Sequence, residues 1–351
     1  MKLLFYINAI HHGGAERVIT NLANHFSDEH DIILVTSFKD TWEYPVDAKV
    51  KRINLCTQMP SSFVKRNLAL VKRLRKVYKQ EKPDVAISFM AEPNFRNILA
   101  SFGLSNKTII SVRNDPEKEY PNAIFKMAAK LLYPFCTGVV FQTEDAKSWF
   151  SQGIQNKSCI IYNPVDSIFY ESVHEGTRKD IVTTGRLTEQ KNHKLLIEAF
   201  SKMAEATSDR LIIYGDGELD EELKQYAQSL HIADRVILPG ATKQVYKDIC
   251  DAKLFVLSSD YEGMPNSLME AMAMQIPCVS TDCPCGGPRM LLKGKYLVPI
   301  QDVDALAEAM KELLTDDVQN NVASKYCKEC AKEFNSEKVF KDWITYIEKI
   351  V

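Results

Sequence analysis

The sequence predicts an α/β protein built from two Rossmann-like domains, each a parallel sheet covered by helices. Three observations carry this. Short apolar, β-branched runs alternate with segments of helical period along the whole chain, the pattern of strands buried on both faces. There are about twelve such runs, too many for one ordinary open sheet. The alternation breaks and restarts across an irregular stretch, 163–179 (NPVDSIFYESVHEGTRK), where a domain boundary fits. A TIM barrel is the rival architecture, but it wants about eight strands.

The first series of runs is LLFYIN (3–8), DIILVTS (31–37), DVAISF (84–89), TIISV (108–112), GVVFQT (138–143) and CIIYN (159–163). The second is IVTTG (181–185), LIIYG (211–215), RVILPG (235–240), LFVLSS (254–259), PCVST (277–281) and KYLVP (295–299). Helical period marks 15–27, 65–80, 190–205, 218–230, 266–275 and 302–314 between them. The first domain is therefore expected over 1–166, with the second beginning at 167. Charge divides at the same place. Residues 1–166 carry 22 Lys+Arg against 16 Asp+Glu, and residues 167–351 carry 22 against 30, so the halves are +6 and −8.

The whole chain of 351 residues sums to −2, which removes any global reason to expect nucleic acid. With 45% hydrophobic and 26% charged residues, disordered and fibrous classes are excluded. No apolar run approaches the ~18–20 residues of a membrane span. The opening MKLLFYINAIHHGG reads as a first strand, not as a signal peptide. The nine cysteines are irregularly spaced, so reduced thiols in a cytosolic chain are expected. Cys283-Pro284-Cys285 and Cys327-Lys328-Glu329-Cys330 lack the second pair a zinc site needs, and the latter reads as one helical turn.

In parallel α/β sheets, ligands sit beyond the carboxyl ends of the strands, and the unusual residues cluster there. Gly13-Gly14 follows the first strand and opens a helix, so backbone amides can approach an anion. It is not G-x-G-x-x-G, and a plain tight turn is the alternative. His11 and His12 read as loop residues. In GRLTEQKN (185–192), Arg186 and Lys191 stand at a strand mouth and can clamp a diphosphate, or be ordinary surface cations. Gly215-Asp216-Gly217 ends the next strand in a turn, and Asp216 reads as a turn residue.

The most informative stretch is EGMPNSLMEAMA, residues 262–273. Pro265 fits an early helical position, and Asn266 and Ser267 can satisfy free amides. Glu262 lies in the loop and Glu270 about one turn into the helix. The helix start attracts an anion, and the two flanking carboxylates can accept hydrogen bonds from vicinal hydroxyls. A diphosphate with sugar hydroxyls on both sides, a nucleotide-sugar, fits that arrangement.

These residues resemble glycosyltransferase family 4, retaining enzymes of the GT-B fold, and the resemblance runs nearly end to end. Its carriers are Glu262 and Glu270 at E-x7-E spacing, Gly185-Arg186-Leu187 with Lys191, and Gly13-Gly14-Ala15-Glu16. With Ser111-Val112-Arg113-Asn114-Asp115 and the run Asp282 to Arg289 (DCPCGGPR), the chain looks like bacterial enzymes that build capsules, O-antigens or lipid-linked glycans. The resemblance implies two domains facing each other across a cleft, with helix 336–351 crossing back to the first domain and the second ending near 335. It implies that Glu262 holds donor-sugar hydroxyls, that Glu270 holds the ribose, and that Arg186 and Lys191 neutralise the leaving diphosphate. Gly14, Gly185, Gly215, Gly263, Met264, Pro265 and Asn266 complete the implied donor-binding set, and segment 239–245 (PGATKQV) would contact the base.

One position departs from the family. Many members carry a His where this chain has Arg113, so that role does not carry over. Arg113 remains an acceptor-side candidate, meeting sugar or acceptor phosphate, or a surface cation. The implied reaction moves a hexose or N-acetylhexosamine from a nucleotide-sugar, a UDP-sugar above all, to a saccharide or an undecaprenyl-diphosphate-linked acceptor. Charge developing on the departing diphosphate is the main quantity to stabilise. The single Asp-x-Asp, Asp302-Val303-Asp304, reads as a helix start, so no metal requirement is expected. A nucleotide-sugar epimerase, a phosphorylase of the same fold and a non-catalytic nucleotide-sugar-binding subunit remain alternatives.

Segment 64–82 (VKRNLALVKRLRKVYKQEK) holds eight Lys/Arg and one Glu. Val64, Leu68, Val71, Leu74 and Tyr78 fall on one helical face and Lys65, Lys72, Lys76 and Lys79 elsewhere. That segment, with AIFKMAAKLLYPF (123–135) as a second candidate, suits an anionic inner-membrane surface. A cytoplasmic protein, peripheral on the inner face of that membrane, is the expectation.

Overall fold

The computed structural model describes residues 1–11, 13–39, 43–56, 62–174 and 176–351; His12 lies outside the described residues. The chain divides into two compact units. Unit 1 is Met1–Pro164 with Glu337–Val351, and unit 2 is Val165–Ser336.

Unit 1 is organised on seven strands: β1 (Lys2–Ile7), β2 (Asp31–Thr36), β3 (Lys51–Asn54), β4 (Val85–Phe89), β5 (Lys107–Ser111), β6 (Gly138–Phe141) and β7 (Ser158–Ile160). They run parallel in the order β3-β2-β1-β4-β5-β6-β7. The register puts Leu4 beside Ile33 on one side and Ala86 on the other. Unit 2 has six: β8 (Lys179–Thr184), β9 (Leu211–Tyr214), β10 (Val236–Gly240), β11 (Ala252–Leu257), β12 (Cys278–Thr281) and β13 (Leu297–Val298). Their order is β10-β9-β8-β11-β12-β13, again all parallel. In each sheet the chain builds outward from its first strand, then returns to that strand's other side. The reversal falls between β1 and β4 in unit 1 and between β8 and β11 in unit 2, and such switch points are where open sheets receive ligands.

The cores follow the strand faces. In unit 2, Ile181, Ile213, Leu254 and Val256 pack against Leu196, Phe200, Leu306 and Met310 of the covering helices. In unit 1, Leu4, Tyr6, Ile33 and Val35 pack against Leu70, Leu74 and Tyr78.

Three of the departures from the sequence-based expectation have a clear physical reason. β3 was not among the apolar runs: KRIN is an edge strand, three of its four residues exposed, with charge where a central strand would need apolar side chains. The helix Ala91–Ser101 has no apolar stripe because the face it buries is polar. There Asn97 donates to the Ala86 carbonyl at 3.1 Å and accepts from Tyr78 Oη at 2.7 Å, and Asn94 donates to the Ser111 carbonyl at 2.9 Å. The third is the helix Phe63–Glu81. It buries Leu70, Leu74, Val77 and Tyr78, so only its second half follows the expected apolar face. Val64 and Leu68 are exposed, at 72% and 54%.

The C-terminal helix Ser336–Ile350 buries Val339, Phe340, Trp343 and Ile347. Tyr346 Oη accepts the Val139 amide at 2.9 Å and donates to the Lys157 carbonyl at 2.6 Å, which fastens this helix to β6 and the approach to β7. Gly138 leaves the room: a Cβ there would meet Ile350 and the Tyr346 hydroxyl.

Candidate active site

The site in unit 2 is built where β8 and β11 end. β8 leads directly into Gly185-Arg186-Leu187, and the turn Glu189–Lys191 hands over to Asn192, which is left-handed at φ 44°. Asn192 Oδ1 accepts the Leu195 amide at 3.2 Å and so starts the helix His193–Met203. Across the switch point, β11 is followed by Ser258, Ser259 and the Glu262 loop.

The two loops are joined side by side. Lys191 Nζ lies 2.6 Å from Glu262 Oε1, and both side chains are largely buried. Ser259 Oγ donates to the same carboxylate oxygen at 2.8 Å, and Ser258 Oγ donates to the Lys191 carbonyl at 2.9 Å. Asn192 Nδ2 donates to Asp260 Oδ1 at 2.9 Å, and Gln190 Nε2 to the Tyr261 carbonyl at 3.0 Å. Lys191 and Glu262 are 71 positions apart in sequence and form a charge-assisted pair at the strand mouth.

Arg186 is exposed and, among the described residues, makes no side-chain hydrogen bond or ion pair. His193, buried behind it, is held neutral, since burial and the Lys191 ammonium pull its imidazole down to about 4. Burial, with the Glu262 carboxylate close by, pushes the Cys283 thiol up, so it is no thiolate nucleophile. Cys327 and Cys330 sit on the helix Asp317–Ala331, buried and free.

The helix Asn266–Ala273 begins where its helical period does, and Pro265 stands just outside it rather than at an early helical position. Pro265 is its N-cap, at φ −74°, ψ 108°, and no side chain caps that end. That helix start carries a positive dipole end. Ser267 Oγ, in the first turn, is buried without a hydrogen-bond partner. Glu262, Gly263, Met264 and Pro265 are buried in the loop, Asn266 half-buried, and Glu270 is 4% exposed one turn in. A Cβ on Gly287 would fall on the Gly263 carbonyl oxygen, so a neighbouring loop also braces this segment.

β9 and β10 complete the edge. The Gly215 amide donates to the Gly240 carbonyl at 3.0 Å, the Leu187 amide to Asp216 at 2.9 Å, and Asp216 Oδ1 accepts the Ala241 amide at 3.0 Å. Asp216 is thus a turn anchor. A Cβ on Gly215 would fall on the Gly185 carbonyl oxygen, so only glycine permits this approach. Beside it opens a recess of about 400 Å³ lined by Tyr214, Pro239, Gly240, Thr242, Lys243 and Gln244, which contains segment 239–245.

Gly14 and Arg113 belong to unit 1. Gly14 is the first residue of the helix Gly14–Phe26, and the Glu16 carboxylate folds back over Gly13. His11 is exposed in the same loop. Arg113 follows β5 and is not a surface cation: it is 8% exposed, with its Cζ 4.3 Å from the centre of the Phe89 ring. Asp302 caps the helix Val303–Thr315 by accepting the Ala305 amide at 2.9 Å.

Sequence reasoning did not pick out Ser258, Ser259, Asp260 or His193, nor Glu119, Gln142 and Asn163 in unit 1. A signal existed for the first three: hydroxyls and an acid directly after the apolar run LFVL (254–257). The others look like ordinary loop or helix polar residues.

Comparison with known proteins bears on the family and the fold. Residues 12–168 match the model described as Glycosyltransferase Family 4, and residues 178–316 the model described as Glycosyl transferases group 1. Two relatives come from Campylobacter jejuni subsp. jejuni serotype O:2. One is named GalNAc-alpha-(1->4)-GalNAc-alpha-(1->3)-diNAcBac-PP-undecaprenol alpha-1,4-N-acetyl-D-galactosaminyltransferase; it is 26% identical, over 100% of this chain and 99% of its own. The other is named N-acetylgalactosamine-N,N'-diacetylbacillosaminyl-diphospho-undecaprenol 4-alpha-N-acetylgalactosaminyltransferase; it is 27% identical, over 99% of each. Among solved structures, Anabaena HepE in complex with UDP superposes with a TM-score of 0.81 at 17% identity, covering 99% of this chain and 100% of that one. The shared fold is the GT-B arrangement of two Rossmann-like domains.

Proposed function

The chain belongs to glycosyltransferase family 4, and from that premise we propose that it moves a hexose or N-acetylhexosamine from a UDP-sugar to an undecaprenyl-diphosphate-linked saccharide, with retention. The observation that carries the reading is the Lys191–Glu262 pair, in the loops that lead from β8 and β11 at the unit 2 switch point and run into the helix Asn266–Ala273. Transfer requires a nucleoside diphosphate to leave from an oxocarbenium-like centre. Stabilisation of the charge arriving on that diphosphate is then worth more than any other single contribution. Arg186 has its fork free for phosphate oxygens, Lys191 supplies a point charge, and the amides at Asn266 add dipole. Glu262 would accept hydroxyls of the donor sugar while balancing Lys191, and Glu270 would accept the ribose hydroxyls. The recess at 239–245 would take the base.

These fixed cations do the work a metal does elsewhere, so the reaction would proceed without one. The acceptor hydroxyl would attack on the face the diphosphate leaves. The names of the two Campylobacter relatives support an undecaprenyl-diphosphate acceptor, and the UDP in the HepE complex supports the nucleotide.

Unit 1 offers a surface suited to such an acceptor. No helix of the described residues is long and apolar enough to cross a membrane. On the helix Ala123–Leu132, however, Ile124, Met127 and Leu131 are exposed, and Phe135 meets Phe102 edge-on at 5.7 Å just beyond it. Phe63, Val64 and Leu68 are exposed on the basic helix, with Lys65, Lys72 and Lys76. Apolar side chains among lysines suit the cytoplasmic face of an anionic membrane.

The test is a thermal-shift screen of UDP-, GDP-, ADP- and dTDP-sugars, followed by transfer to an undecaprenyl-diphosphate-linked saccharide in EDTA. Stabilisation by a UDP-sugar and an α-linked product from an α-linked donor are expected. Turnover of the donor to another nucleotide-sugar without acceptor, or activity abolished by EDTA and restored by a divalent cation, would overturn the corresponding part.

A further inference from the structure

Unit 1 encloses two arginines almost completely, and their surroundings are opposite. Arg96, 2% exposed, is answered from within the protein. It is ion-paired to Glu92, its Nε donates to Asn67 Oδ1 at 2.7 Å, and its Nη1 to Asn8 Oδ1 at 2.6 Å. Arg113 has no carboxylate within ion-pair distance among the described residues. Its Nη2 donates to Asn163 Oδ1, and its Nη1 meets Ser111 Oγ at 3.4 Å. Its Nε is buried with no partner. A guanidinium has five N–H donors, so most of this one's capacity is unspent.

The neighbours show the same deficit. Gln142 Nε2 donates to the shared Asn163 Oδ1 at 2.7 Å, which leaves Gln142 Oε1 buried and unpartnered. Glu119 Oε2 accepts the backbone amides of Arg113 and Asn114 at 2.9 and 3.0 Å, fixing the loop, while its Oε1 is buried without a partner. Glu119 and Glu16 act on the guanidinium only through space.

Arg113, Gln142 and Asn163 follow the carboxyl ends of β5, β6 and β7, the edge where parallel sheets take ligands. A charge removed from water without a counter-ion is costly, and an arriving anion relieves that cost. A planar guanidinium whose orientation is set by Asn163 and the Phe89 ring suits phosphate oxygens. We propose that Arg113, oriented by Asn163, is the phosphate-binding residue of unit 1. This rests on the reading of the chain as a transferase between two diphosphate-bearing substrates. Both substrates carry that chemistry; because the donor residues lie in unit 2, the acceptor diphosphate is the expected occupant.

The test is isothermal titration of the full chain with UDP, with farnesyl diphosphate as a short isoprenyl diphosphate, and with farnesol. Arg113→Gln is expected to weaken farnesyl diphosphate at least tenfold while UDP binding is kept, and Arg113→Lys to weaken it less. Lys191→Ala should show the reverse pattern. Loss of UDP but not farnesyl diphosphate in Arg113→Gln would support the same phosphate site and assign it to the donor. Unchanged binding of both ligands would overturn the proposal, as would farnesol binding as tightly as its diphosphate. If Arg113→Gln fails to fold by circular dichroism, Arg113→Lys and Asn163→Ala carry the same comparison. A chain that binds farnesyl diphosphate through Arg113 yet transfers no sugar would defeat the proposed function and leave this site standing.

Discussion

The carboxyl edges of the two sheets share a topology and differ in how they hold charge. In unit 2 the buried cation and carboxylate face each other, Lys191 against Glu262, and hydroxyls from Ser258 and Ser259 complete the set. In unit 1 the buried cation after β5, Arg113, has neutral partners, and the neighbouring acid Glu119 is spent on backbone amides. A paired edge is a site stable on its own that a ligand must rearrange. An unpaired edge is a site whose electrostatics a ligand completes. The same kind of substitution should therefore do different things on the two edges.

The largest effect is expected from breaking the pair. Lys191→Ala and Glu262→Ala should each lower transfer by about 10²–10³, the scale of losing one preorganised charge-stabilising contact. Each also strands a largely buried partner. The double variant should consequently be less destabilised than the two singles summed, as a denaturation cycle will read. Additive losses would show that the pair is not coupled.

Gly215→Ala comes next. Its Cβ must displace the Gly185 carbonyl, so about 1–3 kcal/mol of stability should be lost in denaturant, together with the UDP-sugar thermal shift. An alanine tolerated without cost would mean that the strand mouth is looser than its hydrogen bonds imply.

A smaller effect tests the outer face of unit 1. Full burial of a Leu or Ile side chain stabilises by about 1.5–3 kcal/mol, and shallow insertion by less. Ile124→Ser with Leu131→Ser should reduce flotation with anionic liposomes about tenfold, and Lys65, Lys72 and Lys76→Glu should do so chiefly at low salt. Arg73 is spared in that set because its guanidinium holds the Leu55 carbonyl. Equal partitioning of variants and wild type would remove the membrane from this face.

The last prediction concerns Glu119. Burial pushes its carboxyl up to about 7, against the amides it accepts. A raised carboxyl favours the protonated native state, so this contribution is fully present below the unfolded value near 4.5 and is lost as pH rises through about 7. Glu119→Gln keeps an acceptor for both amides and cannot ionise. Its stability should gain on wild type between pH 5 and 8, and a constant difference across that range would show that the carboxyl does not titrate there.

Much of the donor edge was legible in the sequence because single loops carry it. GRLTEQKN and EGMPNSLMEAMA each follow an apolar strand, and their residue types announce cations and acids at a helix start. Their mutual pairing was not legible, since nothing in either loop says which side chain of the other it meets. Unit 1 was harder to read. Glu119 sits in NDPEKEY and looks like a surface acid, yet it folds under its own loop. The helix Ala91–Ser101 buries asparagines, so it carries no apolar period, and β3 is an edge strand with charged side chains. Val64 and Leu68 have the right period for a buried face, yet both are exposed.

The two-sheet α/β architecture and the positions of the charged loops are legible along the chain. Those depend on hydrophobic period and on residues adjacent along the chain. Packing of the sheets sets which buried charges are answered from afar: Lys191 has Glu262, 71 positions on, and Arg113 has no carboxylate within ion-pair distance among the described residues. The Lys191–Glu262 pair joins loops distant in sequence, and burial, which makes a counter-ion's presence or absence matter, exists only once the sheets are packed.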